Sequence, residues 1–177
     1  MMKLTKQLPI LAILAVIGLT STAALAGNMK DSGSMDMTYA KRDMQPIADA
    51  DGHVLLLTDA VGTSKNTAGT GYLEGFSSDA REIMDLTQGN GPSQGYVTFS
   101  NGGDQQIVKI NSTVTTVMKD GHPSTTMKGK WSIVKATGHL AGIQGDGTFA
   151  GYFTAEDKFH VDWEGWHSQP QASADTK

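Results

Sequence analysis

The sequence contains no cysteine. Disulfides, thiolate metal sites and a cysteine nucleophile are therefore excluded. Aromatic residues are few, at 7%, and charged residues are modest, at 18%. That composition fits neither a coiled coil nor a disordered polyelectrolyte. Positive charge is in deficit, with a net of −4. A nucleic-acid binder needs a basic surface to neutralise phosphates, so that class is set aside. After residue 26 no apolar stretch approaches membrane length. Catalytic and cofactor motifs are missing too. No Gly-x-Ser-x-Gly elbow occurs. The five histidines, His53, His122, His139, His160 and His167, never pair as His-x-His or at helical i, i+4 spacing. No preformed metal site is visible in that spacing, and no cofactor is implied.

What is present begins with an export signal over residues 1–26. Lys3 and Lys6 supply a basic n-region, and Leu8 to Leu19 form an apolar run broken only by Pro9 and Gly18. Ala24-Leu25-Ala26 is a small-x-small cleavage site. The run is too short to span a bilayer comfortably, so it reads as a cleaved leader rather than an anchor. The expectation is a soluble periplasmic or secreted protein beginning at Gly27, with no membrane contact after cleavage. Losing the two lysines takes its net charge from −4 to −6.

Residues 27–50 are polar and show no clear periodicity. They read as a linker or extended, disordered arm. Residues 168–177 are polar, contain Pro170, and read as a tail. The folded domain is therefore expected over residues 51–167. Its apolar spacing has period two, with turn clusters between. Val54 to Thr58, Gln94 to Ser100, Ile107 to Met118, Thr125 to Lys135, Thr148 to Phe153 and Lys158 to Trp166 read as strands. Tyr72 to Phe76 reads as the start of another. Arg81 to Gln88 reads as strand, and strand is preferred to a helix over Ser77 to Leu86 because Gly75 and Gly89 bracket that segment among strands. Asn101-Gly102-Gly103-Asp104 and Asp120-Gly121-His122-Pro123 are hairpin turns. Seven or eight strands at this spacing make an all-β barrel or sandwich. A closed barrel also removes the exposed edges that a secreted sheet must protect.

The most specific segment is Gly138-His139-Leu140-Ala141-Gly142-Ile143-Gln144-Gly145-Asp146-Gly147-Thr148. It resembles a glycine-rich stretch of bacterial proteins related to plant allene oxide cyclases and dirigent proteins. Gly129-Lys130-Trp131-Ser132-Ile133 before it and Phe149 to Trp163 after it extend the resemblance, as does Gly102-Gly103-Asp104 before a long strand. The resemblance covers residues 70–165. It implies a single closed antiparallel β-barrel of eight strands, and it brings a cyclase-like or dirigent-like activity into view. The segment departs from the family pattern at Ala136 and at His139, which stands where an arginine is usual. An arginine contact at that turn is not carried over, and the residues that plant cyclases place on their substrate have no counterpart here. Read from the residues alone, Gly138, His139, Gly142, Gly145 and Gly147 form a turn motif between two strands. A dinucleotide loop would need a helix after the glycines, and strands follow instead.

Three functional readings remain. In the first, Tyr96, Phe99, Trp131, Phe149 and Trp163 line the barrel and grip a small apolar or aromatic ligand, or a protein partner is bound, without catalysis. In the second, the barrel steers a reactive intermediate as a cyclase or isomerase does, and an ionisable group in the lumen would support it. In the third, the methionines of the arm (Met29, Met35 and Met37, with Met44 beyond) join His160 in a copper or zinc site, since thioethers suit Cu(I). His160, Asp162 and Glu164 alternate on the last strand, opposite Phe159, Val161 and Trp163. They are read as its solvent face. Homo-oligomerisation through a barrel face stays open.

Overall fold

The computed structural model describes residues 28–169. The leader and most of the polar tail lie outside them. The chain forms β1 (Met29–Pro46), β2 (His53–Ala68), β3 (Ser77–Thr87), β4 (Gly91–Asn101), β5 (Asp104–Lys119), β6 (His122–Thr137), β7 (Gly145–Ala155) and β8 (Lys158–His167). These eight strands follow one another around a closed antiparallel barrel, and β8 pairs back onto β1 from Met29↔His167 to Thr38↔Lys158. A meander of this kind needs only short connections. Gly102 and Gly121 supply the positive φ that the tight β4–β5 and β5–β6 turns require, at 59° and 79°.

Alternation sets the two faces. Along β8, Phe159, Val161 and Trp163 are buried, while Asp162 and Glu164 are exposed. Along β5, Val108, Ile110 and Val114 are buried against exposed Lys109, Asn111 and Thr113. The interior is mainly apolar and most charged side chains face out, but Asp31 and Glu82 are buried, and Leu55, Leu57, Val61 and Ile83 lie exposed on the outer wall of β2 and β3. A main core of aromatic, methionine and aliphatic side chains occupies most of the barrel. A smaller cluster, Leu56, Met84, Leu86 and Val114, fills the other part.

Four expectations need correction. Residues 29–46 are not an arm: they are β1, the strand that closes the barrel, so the domain begins at Met29 rather than residue 51. The alternation of β1 is real, but Asp31 and Gly33 occupy two of its buried positions beside Met35 and Met37. An acid and a glycine where apolar residues are expected hide period two. Second, Tyr72 to Phe76 is not a strand: it belongs to the β2–β3 connection, which folds inward and buries Tyr72 and Leu73. Third, Gly145 and Gly147 lie within β7, not in the turn before it. The turn itself is a single 3₁₀ turn, Gly138–Leu140, and Gly138 and Gly142 there take φ of 65° and 78°. Fourth, period two along Ile107 to Met118 places Met118 on one face with Val108, Ile110 and Val114, but Met118 is exposed, because it sits at the tip of the β5–β6 hairpin beside exposed Val117.

Candidate functional site

The interior of the barrel holds an apolar cavity of about 50 Å³. Phe99 from β4, Trp131 from β6, Phe149 from β7 and Trp163 from β8 all line it. Four of the five aromatic residues selected from the sequence are thus brought together. Tyr96 is not among them. It is half exposed on the outer face, because it stands three positions from Phe99 and so has the opposite parity.

Glycines make room for these rings. Gly33 pairs directly with Trp163, and Gly129 with Phe149. A Cβ on Gly33 would overlap the Trp163 indole, and one on Gly129 would overlap the Phe149 ring. The Trp131 indole lies over Gly165 in the same way. Large and small residues therefore alternate around the inner wall, as a filled barrel requires. Trp131 and Trp163 meet edge to face, with centroids 6.5 Å apart and planes at 88°.

Sequence reasoning missed the polar groups of this interior. Glu82 of β3 is buried and lines the cavity. Burial pushes its carboxyl above the ordinary value of 4.5, and the Ser93 hydroxyl, donating to Oε2 at 2.6 Å, offsets part of that rise. Gln106 of β5 is fully buried, and its Oε1 accepts from the Tyr72 hydroxyl at 2.5 Å. Gln106 Nε2 and Trp163 Nε1 have no hydrogen-bond partner among the described residues. The Trp131 indole, by contrast, donates to the Glu164 carbonyl at 3.2 Å. The signal for Glu82 was its place in the buried parity of β3, between Ala80 and Met84. A charged residue at such a position reads as solvent-facing until the register is known.

The β2–β3 connection is a strap across one end of the cavity. Tyr72 packs edge to face on Trp163, with centroids 6.1 Å apart, and stacks on His167 at 3.9 Å. Asp31 latches the strap. Its Oδ1 accepts from the Thr70 amide at 2.6 Å and from Asn66 Nδ2 at 2.9 Å, and its Oδ2 lies 3.0 Å from His167 Nε2. Burial alone would raise the Asp31 carboxyl. The donors from Thr70, His167 and Asn66 outweigh it and hold the group below 3.8. Leu73 is held at φ +58°, a left-handed conformation that costs a non-glycine residue about 1 kcal/mol or more.

The remaining selected residues do not converge. Met35 and Met37 point into the core, Met29 is half-buried at the start of β1, and Met44 is exposed near its end. His160 stands on the outer wall, where Nδ1 meets Asp36 Oδ1 at 2.7 Å and Nε2 meets Asp162 Oδ1 at 3.2 Å. The barrel wall therefore separates the buried thioethers from the imidazole, and a shared site of Met29, Met35, Met37 and His160 does not form. Among the described residues no three His, Asp or Glu side chains gather to hold an ion. His139 is exposed in the 3₁₀ turn, where its amide donates to Asp104 Oδ1 at 2.7 Å. Its place is a turn contact, and Gly138, Gly142, Gly145 and Gly147 shape the backbone around it. No protein-family model and no curated protein matches this sequence.

Proposed function

We propose that this protein is a binding barrel that takes a small apolar or aromatic molecule into its interior without acting on it. The observation that carries this reading is the convergence of Phe99, Trp131, Phe149 and Trp163 on one apolar cavity. The cavity of about 50 Å³ is well below the roughly 150 Å³ that accommodates benzene in an engineered protein interior. A guest of that size therefore enters by displacing the strap, where Leu73 and Tyr72 occupy the space it needs. The leader read from the sequence supports a periplasmic or extracellular setting for this role.

Toluene tests the reading by thermal shift. The expected result is a concentration-dependent rise in Tm that is larger in Leu73→Ala, where the truncated side chain leaves room, than in the parent protein. Absence of any rise in both proteins would overturn it. Native mass spectrometry of protein purified gently from its native compartment adds a second readout, an organic mass retained on the folded chain.

One observation favours a second reading. Glu82 is an ionisable group in the cavity wall. A carboxyl whose pKa is raised by burial can supply a proton to an intermediate that the barrel steers chiefly by its shape. In that reading Glu82→Gln abolishes turnover while ligand binding persists. In the binding reading the same variant leaves function intact.

A further inference from the structure

We propose that the outer wall of β2, β3 and β4 is a docking face for a protein partner that presents apolar side chains interleaved with lysine or arginine. This face is separate from the interior cavity. It carries Leu55, Leu57, Val61, Ile83 and Tyr96, which are 40%, 45%, 48%, 46% and 50% exposed. The register makes them neighbours. Leu57 stands directly opposite Ile83, and Leu55 lies two positions away on the same face of β2. Tyr96 is the diagonal neighbour of Ile83, two residues from its partner Gln94. Val61 continues the outward face of β2. In the run Leu55-Leu56-Leu57 the middle residue belongs to the core and the two flanking leucines face out. The corresponding outward positions of β5 carry Lys109, Asn111 and Thr113. Single exposed apolar side chains are ordinary, but a contiguous set on one wall marks a contact surface.

Carboxylates surround this patch and decide what fits it. Across from each exposed aliphatic residue of β2 stands an aspartate: Asp85 opposite Leu55, Asp43 opposite Leu57 and Asp79 opposite Val61. Asp59 lies between Leu57 and Val61 on β2 itself. Two cations flank Asp59 across the strands, Lys41 and Arg81. Arg81 is already engaged, 3.8 Å from Asp59 and 3.4 Å from Asp79. His53 Nε2 meets Asp85 Oδ1 at 2.7 Å. Asp43 accepts from the Gln45 amide at 3.0 Å and meets no cation among the described residues. A partner's cations can therefore reach Asp43 and the outer oxygens of Asp79 and Asp85 while its apolar side chains cover Leu57 and Ile83. A second copy of the same wall fits poorly, because its four aspartates would meet these four. An anionic lipid surface is repelled for the same reason, and the chain's net charge of −4 adds to that repulsion.

Synthetic peptides test the proposal: one alternates lysine with leucine, one glutamate with leucine, and one lysine with serine. Their affinities are measured by calorimetry on the parent protein, on the double variant Leu57→Thr/Ile83→Thr, and on Asp43→Asn. Threonine preserves the strand preference of both apolar positions. The lysine–leucine peptide should bind the parent about tenfold or more tightly than either of the others. The double variant should lose about tenfold of that affinity and Asp43→Asn about threefold, with binding weakening as salt rises. Val134→Thr, at an exposed position of β6, should leave it unchanged. Amide shifts on binding should centre on β2, β3 and β4. Equal binding of the glutamate–leucine peptide, indifference to the double variant, or no binding of the lysine–leucine peptide would overturn the proposal. So would a parent dimer in sedimentation that the double variant dissociates, which assigns the face to a second copy. Binding to phosphatidylglycerol vesicles that the double variant loses would overturn it in favour of a membrane. If the double variant does not fold, Asp43→Asn and the shift map of the parent decide the matter. None of these outcomes bears on toluene binding in the interior.

Discussion

Two titratable residues carry opposite consequences for stability. Glu82 is raised by burial, so its folded form holds a proton that the unfolded chain releases more easily. Its contribution is complete below pH 4.5 and is lost as pH rises through the folded value. Glu82→Gln keeps the shape and removes the charge. Urea unfolding across pH 4 to 9 should show a midpoint that falls with pH in the parent, a flatter profile in Glu82→Gln, and a more stable variant at the alkaline end. His160 sits between Asp36 and Asp162, and the Asp36 hydrogen bond, opposed by burial and helped by Asp162, raises its pKa. Its clamp is complete below pH 6.5 and fades as pH rises through the raised value. The gap in unfolding midpoint between the parent and His160→Ala should therefore be wider at pH 5.5 than at pH 9. Because the clamp joins β1 to β8, it bears on the seam that closes the barrel. At Gly165, a methyl group would meet the Trp131 ring and the Asp146 carbonyl. Gly165→Ala should cost about 1–3 kcal/mol, read as a fall in the denaturation midpoint.

At the scale of the element, β1 and the strap matter most. β1 pairs with β2 on one side and β8 on the other. Removing residues 27–50 would leave two open edges and expose Trp163, Val161 and Phe159. The expected outcome is loss of the cooperative β-sheet signal in circular dichroism and an aggregated species by size exclusion, not a trimmed but folded barrel. The strap depends on Asp31, which ties together Thr70, Asn66 and His167. Asp31→Ala removes the acceptor those donors share. Hydrogen exchange should then accelerate over residues 69–76 while β5 and β6 stay protected. Toluene should bind that variant faster than the parent, since the strap is the element a guest displaces.

At the scale of the whole molecule, the described residues form one closed ring of hydrogen-bonded strands around a single interior. Every strand contributes side chains to that interior or to its walls, so partial unfolding opens the ring at two edges at once. Unfolding followed by Trp fluorescence, which reports Trp131 and Trp163 in the core, should coincide with unfolding followed by far-ultraviolet circular dichroism. Closure also explains why the cavity is small. Around an eight-stranded ring the inward side chains are sufficient to fill the lumen, and the glycines opposite Trp163, Phe149 and Trp131 set where the rings fit.

The sequence by itself determined the strand period, the hairpin turns at Gly102 and Gly121, and the inward face of β8 with Phe159, Val161 and Trp163. These are local properties: alternation and turn chemistry act over a few residues, and both survive any register. It also selected Phe99, Trp131, Phe149 and Trp163, since large rings on the apolar parity of a strand have few other places to go. The tertiary structure alone decided the rest. β1 became visible only through its partners, because Asp31 and Gly33 occupy inward positions that pairing with distant segments makes tolerable: Asp31 by the donors of the strap and His167, Gly33 by the Trp163 ring. Glu82 and Gln106 became interior groups only once ring closure fixed which face of β3 and β5 is the lumen. Tyr96 went outside and Met35 and Met37 inside by the same rule. Such facts depend on residues far apart in the chain, and no local pattern encodes which distant side chain will satisfy a buried carboxylate or leave an indole N–H without a partner.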